Sequence, residues 1–498
     1  MQFNKIKNFL IPLSLLVLML ATRFCFLNWG NGFFFNPDEN NMAASIAQMS
    51  YSNLNPDFFA YGQFPLFLTF FTTPNYNFST IILTLRFWSA IFSCLSLFFF
   101  YLISKNIFKS PKVSFIFVLL LIFTPGLIQL AHFGTTESLL IFVFSANIFL
   151  SLKYYQNQQK KYFLFSVLIS AIGLSSKITA IFFILPFYFS LFFIFLENKK
   201  ILNFISTTLI FTFFFLSLSI LFSPFNIIDF SNFKSTMIHE TSIATGQLKI
   251  FYTHQFENSY AYLFQFKNIF PYTNGIFIFT LSFFGFFIFL KNKIRKELLL
   301  VFLPSIIYFL YVGQLFVKWT RFVSSLFFIG PFFCLFIFKK FKNVFLTFIL
   351  IILMISPGIY FFQKYFLPDN RITASNWINS NIPLNSYILS ESGNVINLPL
   401  FSSKFTVNNF DFYNPENLSN LSAEINKSDY IIVPSRRVFK NNFSLTQNYY
   451  QQLFSGEIGF NEIKKFNNQK SLFLNSENAE ETWSVFDHPT IRIYQHVK

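Results

Sequence analysis

The chain has 498 residues, 53% of them hydrophobic and only 12% Asp, Glu, Lys or Arg, about half the charge of an ordinary soluble domain. Its 84 phenylalanines exceed what one aqueous core holds at this length, which excludes a soluble globular protein and points to lipid. The net charge of +16 raises nucleic acid as a partner, but from residue 364 onward 12 basic residues balance 12 acidic ones, so the excess belongs to the apolar half and that motive disappears.

Apolar segments of membrane-spanning length run at about 9–27, 79–104, 113–131, 134–152, 162–176, 178–196, 202–222, 275–290, 298–317, 322–338 and 343–362. These predict about eleven transmembrane helices, within a range of 9–13. The first has Lys5 and Lys7 ahead of it like a signal peptide, yet it lacks a small-x-small cleavage site and is read as a helix. The run PLFLTFF near 65–71 is too short to span and reads as re-entrant or interfacial.

With the N-terminus inside, the inner segments hold 17 Lys and Arg against two Glu, and the outer ones up to residue 363 hold 8 against seven acids. That bias predicts a cytoplasmic N-terminus and an extracytoplasmic C-terminus. The basic runs KSPK, ENKK, KNKIRKE and KKFK are then anchors facing anionic lipid headgroups. Residues 1–363 form the membrane domain, with outer loops at 28–78 and 223–274. Residues 364–498 contain SYILSE, DYIIVPS and TIRIYQ as strand-like runs and ITASNWINSN as a helix-like one, a small α/β domain outside the membrane.

The outer side carries the charges that anchoring does not explain. Asp38 and Glu39 follow the first helix, where partial desolvation suits a general base; a solvated Pro-Asp turn is the plainer alternative. Glu137 opens the fourth predicted helix near His132, where the helix N-terminus favours an acid and Thr135 or Thr136 can cap. Lys318 and Arg321, in LFVKWTRFVSS, can share one face and suit phosphate oxygens, with Arg86 and Lys177 as weaker members of the same set. The second loop adds His239, Glu240, His254 and Glu257, without metal-site spacing but rich in aromatics, as acceptor-side candidates. Cys25, Cys94 and Cys334 are scattered in apolar runs and make neither a disulfide scaffold nor a thiolate site. No Walker loop, dinucleotide fingerprint or Gly-x-Ser-x-Gly is present, so no nucleotide cofactor is expected.

NPDE at 36–39, HFGTTESLL at 132–140, KWTRF at 318–322, RITASNWINSNIPLNS at 371–386 and VFDHPTIRIY at 485–494 together resemble the GT-C glycosyltransferases. The resemblance is to the bacterial family 39 group of protein mannosyltransferases and aminoarabinose transferases. It implies transfer of a sugar from a polyprenyl-phosphate carrier to a protein, lipid or glycan acceptor on the outer side, with inversion. It places the catalytic base at Asp38 with Glu39 beside it, the carrier phosphate at Lys318 and Arg321, and a second acidic or metal-binding role at Glu137. A divalent cation (Mg, Mn or Zn) held by Asp38 and Glu137 is compatible with it. The family's common form has His where this chain has Asn36, and often Asp where it has Glu137. A lipid or solute transporter is the rival function, although no internal repeat is evident.

Overall fold

The computed structural model describes residues 2–497 except 293, 342, 393–396, 401–402, 443 and 469–470, with side chains from residue 12 onward other than those of 415, 444 and 445. Of the cations read as inner anchors, Lys293 and Lys342 lie outside the described residues, as do the side chains of Lys5 and Lys7. Each of the eleven apolar segments falls on a helix. Seven helices are long and apolar enough to cross a membrane: Phe78–Phe108, Glu137–Asn157, Ile178–Asn198, Ile201–Phe222, Lys296–Gly313, Thr320–Lys340 and Val344–Phe366. The bent pair Pro111–Ile122 and Pro125–His132 makes an eighth, Ile276–Leu290 is apolar but shorter, and Pro12–Phe24 is the described apolar part of the 23-residue helix Gln2–Phe24. The eleventh predicted span is Lys160–Leu174, only 15 residues long. By length and composition the described residues thus give seven or eight full-length crossings, and the remaining predicted spans fall on shorter apolar helices or on the first helix, Gln2–Phe24.

The 57° bend at Phe123–Thr124 has an identifiable cause and an identifiable support. Pro125 lacks the N–H that would continue the helix. The Arg23 guanidinium, fully buried, donates to the carbonyls of Leu121 and Ile122 at 3.2 and 3.0 Å and to Ser93 Oγ at 2.9 Å. An arginine from the first helix thereby satisfies the backbone acceptors that the break leaves open. PLFLTFF forms the nine-residue helix Phe64–Thr72, as its length requires.

The C-terminal part carries a five-stranded sheet: β1 (Tyr387–Glu391), β2 (Thr406–Phe410), β3 (Tyr430–Val433), β4 (Phe460–Phe466) and β5 (Ile491–His496). The order is β2-β1-β3-β5-β4, with β1 parallel to β2 and β3, and β5 antiparallel to β3 and β4. The predicted runs SYILSE, DYIIVPS and TIRIYQ are β1, β3 and β5, and ITASNWINSN lies in the helix Asn370–Asn381.

Polar contacts dock this domain on the helices. Asp487 accepts from Lys364 at 2.6 Å, Gln129 at 2.9 Å and Tyr365 at 3.0 Å. Arg371 lies over the Phe35 ring at 3.9 Å while its fork engages Asp369, whose second oxygen also accepts the His488 N–H. Burial alone would raise the Asp369 carboxyl, but Arg371 and then His488 outweigh it and hold it below the ordinary 3.8. A lowered carboxylate contributes stability that is present above its unfolded value and lost as pH falls through its folded one. Docking is therefore expected to persist at neutral pH and to weaken progressively below 3.8. Fluorescence of Trp483, packed on Phe361 at 4.5 Å, is the measurement that follows it; a thermal midpoint of that emission no lower at pH 2 than at pH 7 would contradict this role.

Candidate active site

The NPDE motif is a helix start. Asn36 is the N-cap, its Oδ1 accepting from the N–H groups of Asp38 at 3.0 Å and Glu39 at 3.3 Å, and Pro37 sits at the first helical position of Pro37–Gln48. Asn36 thus does a capping job at the position where the related motif has His. Two successive residues in a first turn point in different directions, and the two acids separate accordingly.

Glu39 turns inward. Its oxygens take the Arg86 fork at 2.7 and 3.1 Å and the Gly134 N–H at 2.6 Å. Arg86 gives its remaining donors to the carbonyls of Leu27 and Trp29 and stacks on Trp29 at 4.4 Å. Gly134 is required for this approach, since a Cβ there would stand 2.7 Å from that of Leu85. Both ionic side chains are fully buried. This corrects the assignment of Glu39 as catalytic and Arg86 as phosphate-binding: each is consumed by the other and neither is open to a substrate. Removing one partner strands a buried charge, so Arg86→Met is expected to cost about 3–5 kcal/mol of stability. A thermal-unfolding midpoint equal to that of the parent would refute the structural role.

Asp38 turns toward the cleft, where Arg321 Nη1 donates to its Oδ2 at 2.5 Å, and both side chains keep 18% exposure. Arg321 also lies over the Trp319 ring at 4.3 Å. Its loop is held from the C-terminal domain: Glu480, fully buried, accepts the Thr320 and Thr482 N–H groups through Oε2. Glu137, buried in the first turn of its helix, faces Lys177 at 3.3 Å. The Lys177 ammonium in turn lies 5.2 Å from the Tyr61 ring and 5.6 Å from that of Phe322. Asp38, Arg321 and Glu137 all act electrostatically on Tyr61, and burial and then Asp38 raise its hydroxyl well above the ordinary value, so that it stays protonated. Lys177 is lowered by burial, with Glu137 opposing.

The structure therefore pairs Arg321 with Lys177 rather than with Lys318. The Lys318 ammonium donates to its neighbour's carbonyl, Phe316 O, at 2.9 Å, and burial lowers its pKa. The short helix Thr320–Val323 starts between the two residues, with Lys318 before it and Arg321 in its first turn.

An apolar cavity of about 270 Å³ opens beside this group, bounded by Tyr61, Ser175, Ile178, Leu216, Ile220 and Phe230. The acceptor-side candidates do not line this cavity. His239 and Glu240 are exposed on Phe230–Thr245, and His254 pairs with Glu257 at 3.1 Å. His132 is structural, stacked on Tyr365 at 3.9 Å with both ring nitrogens on backbone carbonyls. Among the described residues no three His, Cys, Asp or Glu side chains gather as metal ligands. Asp38 and Glu137 each face a cation instead, so the donor set does not suit a divalent ion.

Residues 67–227, which include Arg86, Glu137 and Lys177, match the family model of dolichyl-phosphate-mannose-protein mannosyltransferase. No curated protein matches the chain. Among solved structures, ArnT from Cupriavidus metallidurans bound to undecaprenyl phosphate is similar at 9% identity and a TM-score of 0.51, over 98% of this chain and 97% of that one. The oligosaccharyltransferase of Archaeoglobus fulgidus in its apo form is similar at 12% identity and a TM-score of 0.51, over 88% of this chain and 72% of that one. Identities this low speak for the fold, and the family model adds the sequence signature of residues 67–227. With its apolar helices and a C-terminal sheet docked on them, the chain has the fold of these two structures, and its residues 67–227 carry the sequence signature of the protein mannosyltransferase model.

Proposed function

We propose that the chain transfers a sugar from a polyprenyl-phosphate carrier to a hydroxyl acceptor on the extracytoplasmic face of the cell membrane, its N-terminus cytoplasmic. The observation that carries this reading is the convergence of two carboxylate–cation pairs, Asp38 with Arg321 and Glu137 with Lys177, around Tyr61, which itself lines an apolar cavity. The isoprenoid tail takes the cavity and its phosphate takes Arg321 and Lys177, a guanidinium and an ammonium suited to anionic oxygens. Engagement of Arg321 by phosphate releases Asp38 from its ion pair.

Asp38 then accepts the proton of the acceptor hydroxyl as that oxygen attacks the anomeric carbon. The bond from that carbon to the phosphate oxygen breaks, and its electron pair leaves with the lipid phosphate, whose charge the two cations stabilise. Displacement in one step inverts the anomeric centre. A phosphate leaves without a separate protonating acid.

The test is transfer from a radiolabelled undecaprenyl-phosphate sugar in membranes that contain the full chain. Label is expected to move into an acceptor in proportion to the amount of protein. Label that stays on the carrier at every protein level, or that crosses the membrane still attached to it, would favour a transporter.

A further inference from the structure

A second guanidinium reaches the cleft from the C-terminal domain. The strand β3 ends at Val433, and Pro434 and Ser435 turn the chain so that Ser435 Oγ accepts the Arg437 N–H at 3.1 Å. Two adjacent arginines follow and part company. Arg436 points into the domain, buried near Glu477, Glu480 and Glu481, with Nη1 on Ser484 Oγ at 3.3 Å. Arg437 points the other way, toward the helices.

Its surroundings are those of a built site. The Arg437 guanidinium lies over the Tyr252 ring at 4.9 Å, Tyr252 neighbours Trp319 at 6.3 Å, and Trp319 carries Arg321 at 4.3 Å. A continuous row of two rings with a cation at each end therefore joins Arg437 to the guanidinium paired with Asp38, and Asp38 is among the charges that act on Arg437. The side chain is 11% exposed and has Glu481 beside its Nε at 3.4 Å. Its Nη1 and Nη2 donate to no acceptor among the described residues. A guanidinium has two donor edges; here one faces a carboxylate and the other is open.

A largely buried arginine with open donors is costly unless a ligand supplies the acceptors. We propose that Arg437 is a substrate-recognition residue contributed by the C-terminal domain, and that its open edge receives an anionic oxygen group, phosphate or carboxylate, on the bound substrate. The inference rests on the reading of the cleft as a lipid-phosphate sugar site and adds a second anion position to it. The group has two sources: the carrier's own phosphate, or an anionic substituent on the sugar or acceptor that lies beyond the Trp319 and Tyr252 rings from Arg321.

The experiment uses the full chain in nanodiscs and two probes. Undecaprenyl phosphate titrations read the carrier, and inorganic phosphate titrations on protein already saturated with undecaprenyl phosphate read the outer position. If the carrier phosphate reaches Arg437, Arg437→Gln weakens undecaprenyl phosphate binding about tenfold. If the anion belongs to the sugar or acceptor, carrier binding is unchanged and inorganic phosphate binds the loaded protein at millimolar concentration, with about tenfold weakening in Arg437→Gln. Both results unchanged would overturn the inference. Inability of inorganic phosphate to bind loaded parent protein, together with unchanged carrier binding in the variant, would do the same. Arg437→Lys keeps the charge beside Glu481 and carries the test alone should the Gln variant not fold, with a three- to tenfold loss expected and no loss contradicting. Arg321→Gln separates the two claims: if it also leaves carrier binding intact, the underlying lipid-phosphate reading has failed rather than this addition to it.

Discussion

Asp38→Asn is expected to lower sugar transfer by about 10²- to 10⁴-fold, the usual contribution of a positioned general base. Asparagine preserves the shape of the side chain and leaves the Asn36 cap and Pro37 start of the helix untouched, so the protein should reach the membrane at normal levels. What it removes is the capacity to take a proton. Asp38 is suited to that task by position: it stands in the first turn of a helix, partly exposed, beside a guanidinium that a phosphate can draw away. Glu39→Gln, one residue along, is expected to act differently, by weakening the buried pair with Arg86 and lowering stability rather than the chemical step. Transfer from a labelled carrier, measured at matched expression, separates them. Undiminished transfer by Asp38→Asn would remove Asp38 from the mechanism.

Arg321→Gln is expected to weaken donor binding by about 10- to 100-fold, since a hydrogen bond to a charged group is worth roughly 1.5–3 kcal/mol and each 1.4 kcal/mol is tenfold. Lys177→Gln should fall in the same direction, because its ammonium lies beside Tyr61 at the edge of the apolar cavity. Lys318→Gln should change donor binding less than about threefold, for its ammonium is occupied by the Phe316 carbonyl. The discriminating measurement is the donor KM against that of the acceptor for each variant. A Lys318 effect as large as that of Arg321, with Lys177 silent, would restore the pairing that sequence proximity suggests and overturn the one drawn from the fold.

The contrast between those lysines shows where sequence reading stops. Apolar runs locate the helices because burial in lipid is written in composition, and the strands β1, β3 and β5 are readable for the same reason. The strand β4 has none of that pattern: five of its seven residues are exposed, as an edge strand permits. Asp38 and Arg321 are legible as outer charges without an anchoring role, yet the same argument selects Arg86. A cation at a helix end looks alike in sequence whether it meets a phosphate, a headgroup or a buried carboxylate, and only the approach of Gly134 and Glu39 decides. Lys177 and Glu137 are visible singly, but their pairing depends on how two helices pack. Arg437 carries no local signal at all, lying far along the chain in a domain whose contact with the cleft is set by docking. The terminal motifs around Arg371 and Asp487 find their role there: they hold the sheet against the helices and so fix both Glu480 under the Arg321 loop and Arg437 beside Tyr252.

The central claim is that the carrier phosphate lies between Arg321 and Lys177 and sets Asp38 free. A structure of the full chain in nanodiscs with undecaprenyl phosphate bound tests it most directly. The account predicts phosphate oxygens within hydrogen-bond distance of both cations, the isoprenoid chain in the cavity beside Tyr61, and the Asp38 carboxylate parted from Arg321. A phosphate seated elsewhere, with the Asp38–Arg321 pair intact, would contradict it.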